Sequence, residues 1–407
     1  MAVVAALAWL ACGCRAPGRG EEVRGRDAAT DADAWPCAAA EARAKALHDA
    51  LLEGLAAGRV AGAVALVGRG DEELACAAAG LRAVEPRAEA ATRDTTWDLA
   101  SLTKPIATAS CVLALRDEGL LELDAPLARW LPEFGAHGKD AITIEQLLRH
   151  SSGLPAANPL SDYAQGPDEA WRRICALAPK HPPGARRVYS DIGYIALGKL
   201  VERLDGCSLA ASARRRVFDP CGMRDAAFVL DAERRARCAP TEALANAVPR
   251  GVVHDPRARA LGGVAGHAGL HATLDDVARW CRMVLAGGEL DGVRVLSEDA
   301  CRLLFEPRAL GDGSAPRTIA LDADPANSAR GALFPAGRSV GHTGFTGTSL
   351  WLDPAAGGFV VLLSSRLHPA GDGDAKPLRR TVADAAWRML AAPSSARLVR
   401  CSSCPGG

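Results

Sequence analysis

The sequence predicts a mixed α/β fold of the α+β kind, with a mainly antiparallel sheet assembled from both chain ends and flanked by helices. Three observations predict it. "GAVALVGRG" and "ELACAAAGLRA" near the start read as two strands around a "GRGDE" turn. "GFTGTSLWLDPAAGGFVVLLSSR" near the end reads as a hairpin closed by a Pro/Gly turn. The long stretch between them is mainly helical in pattern, so it is expected to form an inserted helical subdomain, the second wall of a cleft.

The elements follow in order. Residues 1–14, "MAVVAALAWLACGC", hold an apolar run of signal-peptide length followed by small residues and cysteine. Residues 15–36 are charged, contain glycine and lack apolar periodicity, which reads as a tether. The folded domain is expected over 37–392, with 393–407 as a tail. From Ala38 to Ala57 helix formers dominate, and Leu47, Leu51, Leu52 and Leu55 give an apolar stripe. "TASCVLALRDEGLL" reads as helix, and so does "AITIEQLLRHSSGLP" up to Gly153 and Pro155. A long amphipathic helix is expected from about Pro377 to Ala391. No internal repeat is present.

Composition excludes several classes. Hydrophobic residues make up 49% of the 407, enough for a substantial core. Formal charge is zero and the pI is about 7.1, so there is no basic footprint for nucleic acid. No apolar run reaches the roughly 20 residues of a membrane span. Thirteen cysteines are scattered without zinc-finger spacing, and most read as small buried hydrophobes.

Only six of the 48 basic residues are lysine, and one of them, Lys104, stands three residues after Ser101 in "WDLASLTKPI". Arginine stays charged, whereas a buried lysine can trade a proton. Positions i and i+3 share a helix face, and Pro105 is tolerated only in a first turn, so a helix is expected to begin near Ser101. A desolvated lysine beside it would activate the hydroxyl as a nucleophile. Serine and lysine also fall three apart by accident in many proteins. Two further segments carry the argument: "RRVYSDIGYIALGKLVE", with Tyr189, Ser190 and Asp191, and "GHTGFTGTSLW", with His342, Thr343 and Gly344 on an expected strand.

In this order, the three segments resemble the S-x-x-K, Y-x-N and (K/H)-(T/S)-G signatures of the serine β-lactamase and penicillin-binding protein superfamily. The resemblance runs from about residue 50 to 390 and points to the branch with class C β-lactamases, D-alanyl-D-alanine carboxypeptidases and esterases. It implies a β-lactamase-like fold and an acyl-enzyme on Ser101. It further implies Lys104 and Tyr189 as proton carriers, and the backbone N–H groups of Ser101 and Phe345 as the oxyanion hole. Asp191, His342, Thr343 and Gly344 would contact a small-molecule or peptide substrate, without cofactor or metal. Two positions depart from the pattern. Asp191 replaces asparagine, which would either raise the Lys104 pKa and blunt it as a base or tighten the hydrogen-bond network. His342 replaces the lysine of β-lactamases, so β-lactamase activity is expected to be weak. The "ACGC" segment resembles a bacterial lipoprotein site, with Cys14 or Cys12 lipidated. It implies an exported, periplasmic or membrane-anchored protein whose only membrane contact is that anchor. The alternative is a non-catalytic penicillin-recognising or wall-binding module of the same fold.

Rival motifs are weaker. "GRSVG" around Ser339 matches G-x-S-x-G but lacks the required strand before and helix after. His267 and His271 are four apart in "GHAGLH", where two glycines oppose the helix a metal pair would need. His254 and Asp255 read as an ordinary loop contact or a pocket wall. Tyr163 and Tyr194 read as packing residues.

Overall fold

The computed structural model describes residues 34–243, 247–323 and 328–392. Cys12, Cys14 and most of the expected leader and tether lie outside the described residues, as does the 393–407 tail. Among the described residues no helix is long and apolar enough to cross a membrane.

The first helix, Ala34–Gly58, begins three residues inside the segment read as a tether. Leu47, Leu51 and Leu55 are buried at a spacing of four, whereas Leu52 is 48% exposed. Four residues return a helix to one face, and the single step from Leu51 to Leu52 turns away from it. The expected stripe therefore holds without Leu52.

Strands β1 (Gly62–Arg69), β2 (Glu72–Ala83) and β3 (Glu89–Ala90) follow. The short strand β4 (Trp97–Asp98) pairs with β5 (His271–Ala272), and a second short pair is β6 (Glu289–Leu290) with β7 (Val293–Arg294). The end of the chain supplies β8 (Val340–Thr343), β9 (Ser349–Asp353) and β10 (Gly358–Ser364). The main sheet has the order β3-β2-β1-β10-β9-β8. All its pairs are antiparallel, with Leu66 opposite Val361 at the junction of the two chain ends. This is the terminal-strand sheet that the sequence predicts.

Alternation in the central strands gives the sheet two buried faces. Ala63, Ala65, Val67, Val360 and Leu362 pack with Leu51 of the first helix and Leu378 of the last, Ala375–Ala391. Those two helices touch through Gly54, where an added Cβ would come within 2.5 Å of the Leu378 Cα. Val64, Leu66, Val361 and Leu363 face the other way, into the core of the helical region. Six of the described cysteines are buried there or nearby, at 111, 175, 221, 238, 281 and 301.

Two helical expectations are corrected. Residues 100–102 form a 3-10 turn and Lys104–Ala109 wider π turns, and α-helix begins only at Ser110. The helix in "AITIEQLLRHSSGLP" is confined to Ile144–Leu148, started by a Thr143/Gln146 capping box. It ends because His150 takes a left-handed backbone, φ 59°, that no helix continues through.

Candidate active site

Pairing of β4 with β5 builds the floor of the site. Leu99 N–H donates to Leu270 O at 2.9 Å, and Thr108 Oγ1 donates to Gly266 O at 2.7 Å. Ser101 follows immediately, preceded by Ala100 in the left-handed region, φ 47°. Such a conformation costs a residue with a Cβ about 1–3 kcal/mol. Asp98 holds it there: its Oδ1 accepts Ala100 N–H at 2.8 Å, and its Oδ2 accepts His254 N–H at 2.7 Å. Asp98 is a site residue that sequence reasoning missed, although it sits inside the quoted motif.

Lys104 is completely buried. Its Nζ donates to Ser101 Oγ at 3.1 Å and to His267 O at 2.9 Å. It also forms an ion pair with Asp191 Oδ1 at 2.8 Å. Two of its N–H groups are thus taken by hydrogen bonds and its charge is met by Asp191. Burial disfavours the charge, but Tyr189 and Asp191 outweigh it and hold the lysine above its ordinary pKa. Burial likewise pushes the Asp191 carboxyl up, and the Lys104 and His267 charges more than offset that, for a net downward shift. The departure from asparagine therefore has the electrostatic consequence expected of a carboxylate.

Tyr189 and Asp191 arrive together because Ser190 caps the helix Asp191–Asp205, accepting from Gly193 N–H at 3.2 Å. His150 anchors this corner through its Nδ1, which accepts Ser190 N–H at 3.1 Å. Its ring lies 4.3 Å from the Tyr189 ring. The Lys104 Nζ stands 4.9 Å from the centre of the Tyr189 ring, which remains 40% exposed toward the cleft.

The opposite wall is β8 and the turn after it. Thr346 Oγ1 donates to Asp98 O at 2.7 Å and Thr348 Oγ1 to Leu99 O at 3.1 Å, pinning the Phe345 backbone beside the Ser101 turn. Gly344 permits that approach, since an added Cβ would lie 2.5 Å from Leu99 O. His342 is buried with Nδ1 3.0 Å from Thr343 O, and its ring lies 6.1 Å from that of Tyr189. Burial, then the charges of Arg317 and Lys104, hold both His150 and His342 well below the ordinary histidine pKa. His342 thus offers no cation at neutral pH. Arg317 does, although it is paired with Asp322 at 4.0 Å: it is buried, and its guanidinium lies 5.8 Å from the centre of the Tyr189 ring. No sequence signal marked Arg317 among 42 arginines.

The structure thus brings Ser101, Lys104, Tyr189, Asp191, His342, Thr343, Gly344 and Phe345 into one cleft. It leaves Ser339 out. That hydroxyl is buried and donates to Asp353 Oδ2 at 2.9 Å. Tyr163 and Tyr194 are packing residues, their hydroxyls donating to Asn158 Oδ1 and Leu148 O. His267 and His271 diverge. The His271 Nδ1 lies 3.1 Å from Gly269 O, while His267 Nε2 lies 2.9 Å from Asp255 Oδ1. Donor atoms of Asp191, Asp255 and His267 fall within 4.8 Å of one another, a spacing a metal ion could bridge. The Lys104 ammonium already occupies the Asp191 side of that group.

Comparison with known proteins fits this geometry. A family model described as Beta-lactamase matches residues 47–385. The chain belongs to the beta-lactamase family. An Escherichia coli (strain K12) protein provisionally named D-alanyl-D-alanine carboxypeptidase is 28% identical over 318 residues, covering 70% of this chain and 73% of its own length. The fold is similar to that of EstCE1, described as a hydrolase with promiscuous acyltransferase activity. That match has a TM-score of 0.70, 21% identity, and covers 86% of this chain and 100% of the other. A class C β-lactamase from Rhodobacter sphaeroides gives a TM-score of 0.68 at 19% identity, covering 86% and 100%. The chain is a member of a serine hydrolase superfamily with a β-lactamase-like fold.

Proposed function

We propose that this member of the beta-lactamase family hydrolyses D-amino-acid peptides or small esters through an acyl-enzyme on Ser101. One observation carries the reading: Ser101 Oγ lies 3.1 Å from the amino group of a wholly buried lysine. Ser101 Oγ attacks the carbonyl carbon as its proton departs to the Tyr189–Lys104 pair. The same proton then reaches the leaving amine or alcohol, and water hydrolyses the ester. The pair accepts that proton only with one of its members already deprotonated, and Asp191 opposes this by favouring the Lys104 ammonium. The N–H groups of Ser101 and Phe345 receive the oxyanion. One such donor is worth roughly 3 kcal/mol in a hydrolase.

A free-carboxylate peptide is the favoured substrate class. Arg317 brings a positive charge next to Tyr189 where His342 brings none, and the Escherichia coli relative carries the carboxypeptidase name. Intact-mass measurement after separate exposure to a penicillin and to p-nitrophenyl acetate, with peptide mapping, tests the reading. Acyl mass on Ser101, absent in Ser101→Ala, is expected. A folded protein with no adduct and no turnover of either reagent or of a D-alanyl-D-alanine peptide would favour a binding module, and an adduct on Ser339 would displace Ser101.

A further inference from the structure

Two motifs remain outside that mechanism, "HD" at 254–255 and "GHAG" at 266–269, and the fold joins them beneath the catalytic lysine. The carbonyl of His267 takes one N–H of Lys104 at 2.9 Å. Its imidazole is 1% exposed and meets Asp255 through Nε2 at 2.9 Å. Asp255 is held in turn by the first turn of the helix Pro256–Ala260, its Oδ1 accepting from Arg257 N–H at 2.9 Å and Ala258 N–H at 2.8 Å. An imidazole nitrogen of His267 stands within 4.8 Å of carboxylate oxygens of both Asp255 and Asp191.

We propose that His267 and Asp255 are positioning residues that act through Asp191 on Lys104. The proposal rests on the acyl-enzyme reading above and adds two residues to its machinery. A carboxylate in place of an amide at 191 would, alone, fasten the lysine as an ammonium. His267 lies within 4.8 Å on the other side of Asp191, and its charge, like that of Lys104, lowers the Asp191 carboxyl, so Asp191 does not answer to Lys104 alone. Asp255 fixes the imidazole in this place through Nε2 and faces it with the opposite charge. The remaining titratable and charged groups bearing on this row are Tyr189 and Tyr194 over Lys104, His150 and His342, which feel the Lys104 charge, Arg257 beside Asp255, and Tyr163, which senses both carboxylates.

The test is a double-mutant cycle read as the pH profile of Ser101 acylation by p-nitrophenyl acetate. His267→Gln should move the rising limb at least half a pH unit upward, because Asp191 then faces Lys104 alone. In the Asp191→Asn background the same substitution should move it little. A merely structural role would give equal effects in both backgrounds, and that result, or no shift in either, overturns the proposal. Asp255→Asn guards against misfolding, since asparagine caps a helix as well as aspartate and removes only the charge. Proton–nitrogen NMR of the His267 imidazole supplies a readout independent of activity. Its titration midpoint should fall in both Asp255→Asn and Asp191→Asn, and an unmoved midpoint overturns the coupling even if Ser101 is never acylated. Absence of an adduct on wild type would count against the acyl-enzyme reading instead.

Discussion

The two faces of the main sheet serve different ends. On one, Leu47, Leu51, Leu55, Leu378 and Val382 from the two terminal helices close over Ala63, Ala65 and Val67 in a mainly apolar layer. At the cleft, a lysine, two histidines and an arginine are each buried by more than nine-tenths, and Ala100 and His150 hold left-handed backbones. The first layer gains its stability from apolar area removed from water. The second spends some of it on buried charge and backbone strain, and long-range hydrogen bonds such as those of Asp98 to His254 and of Thr346 to Asp98 hold it in place. Stability and chemistry are therefore separable in this molecule, and substitutions can break one without the other.

The largest activity loss is expected at Lys104. Lys104→Arg keeps the charge but not the compact ammonium that fits three oxygens, so acylation of Ser101 should fall by about 10³-fold or more. Stopped-flow acylation at equal folded concentration checks this, and retained activity would remove the lysine from the mechanism. Gly344→Ala comes next. Its Cβ would press on Thr348 Oγ1 and on Leu99 O, pushing the Phe345 N–H from its place. A kcat loss of roughly 10²-fold is expected, the scale of one lost oxyanion donor, with a melting temperature changed far less in relative terms.

Leu378→Ala should behave oppositely. Truncating this fully buried leucine should cost about 2–5 kcal/mol in denaturant unfolding while kcat per folded molecule stays at the wild-type value. A parallel loss of kcat would show that the helical layer and the cleft are coupled. The smallest effect is a pH slope. His150 and His342 have depressed folded pKa values, so the unfolded chain binds protons that the native cleft refuses. Stability is then greatest above the unfolded histidine value of about 6.5. It falls as pH drops below that, by up to about 1.4 kcal/mol per pH unit for each histidine. Asp191 and Asp255, depressed in the same sense, add a second loss below about pH 4, as the pH falls toward their folded values. Melting temperatures from pH 8 to 3 should show both; a flat curve from 7 to 5 would mean the histidines are solvated.

Much of this was legible beforehand because it is local. Strands β1, β2, β9 and β10 follow from alternation and turn residues, and the Ser101–Lys104 contact follows from a spacing of three that survives the change from α-helix to tighter and wider turns. Ser190 as a helix cap explains why Tyr189 and Asp191 come as a unit. Leu52 was misassigned because single-residue steps around a helix are invisible to a count of leucines.

The sequence by itself determined that strands from both chain ends share one sheet, the pairing of Ser101 with Lys104, and the carboxylate at 191 that favours the lysine's charge. Tertiary structure alone decided that Arg317 would bring charge to Tyr189, that Asp98 would accept the His254 N–H, and that Asp255 and His267 would meet under Lys104. The physical reason is range. Helix caps, turns and strand alternation are set by neighbours a few residues apart, whereas a buried charge is placed by whichever distant segments surround it, here 98, 191, 255, 267 and 317.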